Sequence, residues 1–210
     1  MTDDRDTLAF TCFDGVHRLV SGDIAAVAIA ARRALDAGAT GPVLTFDDAT
    51  GRSIDLDLRG SEAQIAKRYA AIEPAASSSL PAHADADDKE AAPQPRGRGR
   101  PKLGVVAREV TLLPRHWEWL AAQPGGASVV LRKLVDAARR ANADVDQKRR
   151  SQERTYHFMS AMAGDYAGFE EASRALFAGD WEGIRVLIES WPEDVKAHVI
   201  FLGTTETRSQ

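Results

Sequence analysis

Between Pro74 and Pro95 the chain consists almost entirely of alanine, serine, proline and acidic residues, a composition that buries too little apolar surface to offset the entropy of ordering it. The segment reads as a disordered acidic linker. A 210-residue chain interrupted in this way is expected to fold as small modules rather than around one continuous core. The reading is an α+β protein. Its parts are an N-terminal ββαββα domain over 1–73, the linker over 74–95, a short basic hook over 96–102, a basic strand-helix-helix over 103–150 and a helical C-terminal region over 151–203.

In the first module Leu8 to Phe13 is a β-prone run closed by Asp14-Gly15, a strong tight-turn signal, with Val16 to Val20 as the returning strand. Ile24, Val27, Ala28, Ala31 and Leu35 then recur at helical spacing, and Gly38 stands where a helix would stop. Val43 to Phe46 and Ser53 to Leu58 form a second hairpin. The alternation of the latter sets Asp55 and Asp57 on a solvent face, before a last helix from Ser61 and Glu62 through Ile65 and Tyr69. Cys12 lies within the apolar run and reads as a core residue; as the only cysteine it offers no disulfide framework.

The C-terminal region repeats one phrase, Ala163-Gly164-Asp165-Tyr166 and Ala178-Gly179-Asp180-Trp181. Each copy is expected to end a helix at glycine and to start the next with aspartate as N-cap. Trp191-Pro192-Glu193 supplies a further break, with proline at a helix start. Two copies suit a short helical bundle and are too few for a solenoid.

Charge changes sign along the chain. Residues 96–150 hold 13 basic and 5 acidic side chains, net +8, whereas residues 1–73, 74–95 and 151–210 carry net -4, -3 and -5. A basic block between acidic flanks is the footprint of a polyanion-binding segment. At its start, Pro95-Arg96-Gly97-Arg98-Gly99-Arg100-Pro101-Lys102 resembles an AT-hook. That resemblance implies contact with the narrow, strongly negative minor groove of A·T tracts. Arg98 and Arg100 would enter the groove, Gly99 would let the backbone approach, Pro101 would hold the chain extended, and Lys102 and Arg96 would reach phosphate. The alternative is a basic, flexible Arg-Gly linker without groove specificity.

Residues 106–140 resemble the ribbon-helix-helix arrangement of small dimeric bacterial repressors. Arg108 to Leu113 would be the strand, Pro114 would open a helix through Trp117 and Leu120, Gly125-Gly126 would make the turn, and a second helix from near Ser128 would carry Val130, Leu131, Leu134, Val135 and Ala138 on one stripe. The resemblance implies a homodimer whose paired strands enter the major groove. The N-terminus of the second helix, with Ser128 and the Gly126 and Ala127 amides, would hold phosphate. The strand would present either Arg108, Val110 and Leu112 or Glu109, Thr111 and Leu113. Each set contains large aliphatic residues where hydrogen-bonding side chains are usual, which favours strand-mediated dimerisation over base reading. Arg115, Arg132, Lys133, Arg139 and Arg140 are either backbone contacts or a solvated helix face.

The five histidines are dispersed, and neither a phosphate-binding glycine loop nor a nucleophile elbow occurs, so no enzyme activity, cofactor or metal is expected. His116 reads as a surface residue, and Trp117, Trp119, Trp181 and Trp191 read as core or interface anchors. No apolar run is long enough for a membrane span, and the acidic start lacks the flank of a secretory signal, which predicts a soluble, cytoplasmic protein. The string from Arg108 to Leu120, with Gln123 to Ser128 and Phe169 to Leu176, resembles an uncharacterised bacterial family known only as a domain of unknown function. The sequence thus points to a DNA-binding homodimer, a transcriptional regulator or nucleoid-associated protein with A·T-rich targets. The alternative is a non-enzymatic interaction or scaffold protein.

Overall fold

The computed structural model describes residues 9–70 and 108–204. The linker expected at 74–95 and the hook at 96–102 lie outside the described residues. Two compact units form: one joins residues 9–70 with 142–204, and the other comprises residues 108–141.

In the first unit the expected order ββαββα is found: β1 (Phe10–Asp14), β2 (His17–Gly22), α1 (Ile24–Asp36), β3 (Val43–Asp47), β4 (Arg52–Ile54) and α2 (Glu62–Ala70). The strands make one antiparallel sheet in the order β2-β1-β3-β4. Asp14-Gly15 turns the first hairpin, with Gly15 at φ 56°. Asp23 caps α1 by accepting hydrogen bonds from the amides of Ala25 and Ala26, both at 2.9 Å, so two donors without partners inside the helix are satisfied.

The period of two along β1 and β3 sends alternate residues to opposite faces of the sheet. Phe10 and Cys12 of β1 and Val43 of β3 pack with Val27 and Ala31 of α1, and Ala28 packs with Ile65 and Tyr69 of α2. On the other face Phe13 and Phe46, both fully buried, meet Phe158 at ring-centroid distances of 5.5 and 4.9 Å. The partners on that face come from α5 (Ala143–Ala163), α6 (Phe169–Ala178), α7 (Trp181–Leu187) and α8 (Glu193–Thr204). Residues 9–70 and 151–203, which the sequence presents as separate modules, therefore share one hydrophobic core.

Three local expectations need correction. The strand predicted over Ser53 to Leu58 ends at Ile54. Beyond it α2 holds the chain in place of a ladder: the Asp57 amide donates to Tyr69 Oη at 2.7 Å, and Arg68 donates to the carbonyls of Asp57 and Arg59. Asp57 is half-buried rather than on an open solvent face, although Asp55 is exposed. Of the two Gly-Asp copies, only Gly179-Asp180 works as expected, with Gly179 at φ 78° ending α6 and Asp180 accepting from the Gly183 amide at 2.9 Å. After α5 a turn through Tyr166 intervenes, and left-handed Gly168, not Asp165, precedes α6.

α5 closes the ends of two neighbouring helices. Gln152 donates to the Leu176 and Phe177 carbonyls at the end of α6, while Ser151 and Arg154 donate to the Gly203 and Leu202 carbonyls near the end of α8. Terminal carbonyls without intrahelical donors are thereby satisfied, and the Arg154 cation sits at the negative end of α8.

Candidate nucleic-acid interface

The second unit contains α3 (Pro114–Ala121) and α4 (Gly126–Ala141). Pro114 occupies the first turn of α3 after Leu113, whose φ of -67° and ψ of 150° leave it extended, as expected for a residue before proline. Gly125 and Gly126, at φ 94° and 76°, make the reversal expected between the helices, a backbone region costly for residues with a Cβ. α4 starts at Gly126, two residues before the expected Ser128.

At 100° per residue, Ala127, Val130, Leu131, Leu134, Val135 and Ala138 fall on one arc of α4. Ser128, Arg132, Lys133, Asp136, Arg139 and Arg140 fall on the opposite arc. No residue of α4 is buried. Leu134 is 48% exposed and Val135 55%. In α3 and the segment before it, Val110, Leu113, Trp117 and Trp119 are likewise exposed, and Leu120 is the buried residue of the described part of this unit. Ala127, Val130 and Leu131 are half-buried, but the C-terminal half of the stripe, Leu134, Val135 and Ala138, stays exposed and lacks the burial that ordinarily stabilises an amphipathic helix.

Arg108, Thr111, Arg115, Ser128, Arg132 and Lys133 are all exposed. Among the described residues, none of these cations makes an ion pair, so their charge is uncompensated. Arg140 donates from Nε to the Asp136 carbonyl at 3.1 Å. Residues 108–113 form neither helix nor strand: a strand needs a ladder partner, and the described residues of the single chain bring none to them. The Gly126 amide, expected to be open to phosphate, instead donates to the Gln123 carbonyl at 3.3 Å. Arg96, Arg98, Gly99, Arg100, Pro101 and Lys102 lie outside the described residues.

Of the other sequence candidates, Cys12 and Trp191 are packing residues. Cys12 is fully buried, and burial pushes its thiol pKa up. Trp191 is buried and donates from Nε1 to the Ala167 carbonyl at 3.0 Å. His116 is exposed on α3. Among the described residues no cluster of three or more His, Cys, Asp or Glu is placed to hold a metal ion, and no helix is long and apolar enough to cross a membrane. Sequence reasoning missed a buried polar group. Asp48, Arg154 and His198, each about 1% exposed or less, stand far apart in the chain and carry no motif.

A family described as an uncharacterized protein conserved in bacteria (DUF2239) matches residues 9–203. The chain belongs to this family. The DUF2239 match runs through the sheet, α3 and α4, and the C-terminal helices, so the family is defined by the whole arrangement rather than by the basic segment alone. Neither a curated protein nor a solved structure matches the chain.

Proposed function

We propose that the protein binds DNA as a homodimer, acting as a transcriptional regulator or nucleoid-associated protein through residues 96–140. One observation carries the reading: α4 sets four cations on one arc, while on the apolar stripe opposite Ala127, Val130 and Leu131 are half-buried and Leu134, Val135 and Ala138 stay exposed among the described residues. A second copy would cover that stripe and pair with residues 108–113, completing two-fold the strand that one chain cannot form. The cations would then lie on the outside of the dimer and contact phosphates. Arg98 and Arg100 of the hook-like segment would select A·T-rich minor groove, and dimerisation would add avidity to a weak contact.

Binding of the full-length protein to A·T-rich and G·C-rich duplexes over a salt series tests this directly. For four phosphate contacts, affinity should fall roughly a hundredfold between about 50 and 200 mM salt. Changing Arg98 and Arg100 to Ala should remove the A·T preference. Affinity indifferent to salt would sink the mechanism. A second reading, an interaction or scaffold protein, is favoured by the exposed aliphatic side chains Val110 and Leu113, and binding to neither duplex would turn the search to protein partners.

A further inference from the structure

A cavity of about 330 Å³ opens between β4 and α5, lined by Arg52, Ser53, Tyr156, His157, Ser160 and Ala161. It lies wholly within the first unit and is independent of the basic helices. Its chemistry is one-sided: the lining holds a guanidinium, three hydroxyls and an imidazole, and no carboxylate.

The cation is held by a defined relay. Arg52 Nη2 lies 3.0 Å from His157 Nε2, and His157 Nδ1 lies 3.0 Å from the Thr50 carbonyl oxygen. A guanidinium only donates and a carbonyl only accepts. Nε2 therefore accepts from Arg52, and the ring carries its proton on Nδ1. His157 thereby orients Arg52 through this contact. Among the described residues Arg52 has no carboxylate partner, so its charge remains available to a ligand.

Tyr156 forms the apolar side. It is half-buried, and its ring lies 5.5 Å from that of Phe177 and 6.3 Å from that of Phe169. Phe177 is 53% exposed, so the aromatic group is continuous with the surface beside the cavity.

We propose that this cavity binds a small phosphate monoester, with the phosphoryl oxygens on Arg52 and the Ser53 and Ser160 hydroxyls and the organic body against Tyr156. A phosphoryl group presents three terminal oxygens to a guanidinium fork and two hydroxyl donors, matching this donor set better than the two oxygens of a carboxylate. The ester body accounts for the aromatic wall, which free phosphate would leave unused.

The test is a titration of the full-length protein with phenyl phosphate and, separately, with inorganic phosphate, followed by backbone amide shifts. Phenyl phosphate should produce saturating shifts at residues 52–53 and 156–161 and bind more tightly than inorganic phosphate. Arg52→Gln should weaken it on the order of tenfold or more, as expected for losing a charge-assisted contact. Ser160→Ala should weaken it less. Both side chains are exposed, so the melting temperature should stay unchanged. Shifts confined to residues 108–141, unchanged affinity in Arg52→Gln, or equal affinity for the two ligands would each overturn the proposal. Because the readout is local to the cavity, its failure leaves the DNA-binding reading untouched, and the reverse also holds.

Discussion

Asp48 and His198 face each other inside the core, with Asp48 Oδ1 3.2 Å from His198 Nε2 and both side chains about 1% exposed. The other Asp48 oxygen accepts from Thr11 Oγ1 at 2.9 Å. The His198 ring is surrounded by Phe13, Phe158 and Phe201 at centroid distances of 5.5, 4.6 and 5.5 Å. Nearby, burial pushes the Arg154 guanidinium down to about 10, and the Asp48 charge pulls it back up. Asp48 is thus the carboxylate that compensates a buried cation at the seam between the sheet and the C-terminal helices. Removing one partner from a buried charge group leaves the remainder uncompensated, at a cost of about 3–5 kcal/mol. Asp48→Ala should show a loss of that size in urea unfolding, and a loss below about 1 kcal/mol, the scale of an exposed pair, would show that Asp48 has no such role.

Two glycines with similar backbone angles should respond very differently to alanine. Gly38, at φ 78°, has open space where a methyl group would sit, so Gly38→Ala meets only the left-handed backbone penalty of about 1–2 kcal/mol. At Gly51, φ 67°, a Cβ would fall 1.8 Å from the Arg154 carbonyl oxygen. Gly51→Ala adds overpacking against the α5 backbone and should cost about 2–5 kcal/mol. Equal unfolding midpoints for the two variants would contradict the close docking of the β3–β4 turn on α5.

Stability should decline on the acid side through two surface carboxylates. The donors of Arg59 hold Asp57 well below the usual carboxylate range, with Arg68 adding to the effect, and the Arg33 guanidinium lowers Glu62. A carboxylate depressed in the folded state stabilises it above the unfolded pKa, about 3.9 for Asp and 4.3 for Glu. That contribution is lost as pH falls through and below those values. Urea midpoints should therefore drop from about pH 5 to pH 3, and the double variant Asp57→Asn, Glu62→Gln should flatten that slope. Because Glu62 is exposed and Asp57 is only half-buried, high salt should flatten it as well.

The dimer proposal makes its own demand on α4. Leu134→Glu places a charge in the middle of the uncovered stripe and should yield a monomer in sedimentation equilibrium with much weaker DNA binding. Arg132→Ala together with Lys133→Ala, on the opposite arc, should weaken DNA binding while leaving the dimer intact. If Leu134→Glu leaves the sedimenting mass unchanged, the stripe is not the dimer contact.

Much of the architecture was legible because it is written locally. Asp14-Gly15 specified a turn, the spacing of Ile24, Val27, Ala28 and Ala31 a helix, Gly179-Asp180 the junction of two helices, and the three- and four-residue spacing of α4 an amphipathic stripe with its cations opposite. Each signal acts within a few residues, through backbone sterics, capping hydrogen bonds or side-chain periodicity, and needs no knowledge of distant chain. The failures were local signals overruled by neighbours in space: the alternation from Ser53 to Leu58 implied a full strand, but Tyr69 and Arg68 took the hydrogen bonds that a ladder would have used.

By itself, then, the sequence determined the order of elements within residues 9–70, several of the caps and turns, and the segregation of positive charge into one stretch. Only the tertiary structure decided that the central strands β1 and β3 are covered on both faces, that residues on either side of the basic stretch share one core, and that Arg52 meets His157 and Asp48 meets His198. Those partners lie 105 and 150 residues apart in the chain. Their meeting depends on how Phe13, Phe46 and Phe158 bury a common surface, a cooperative, non-directional effect that leaves no periodic mark on any one segment.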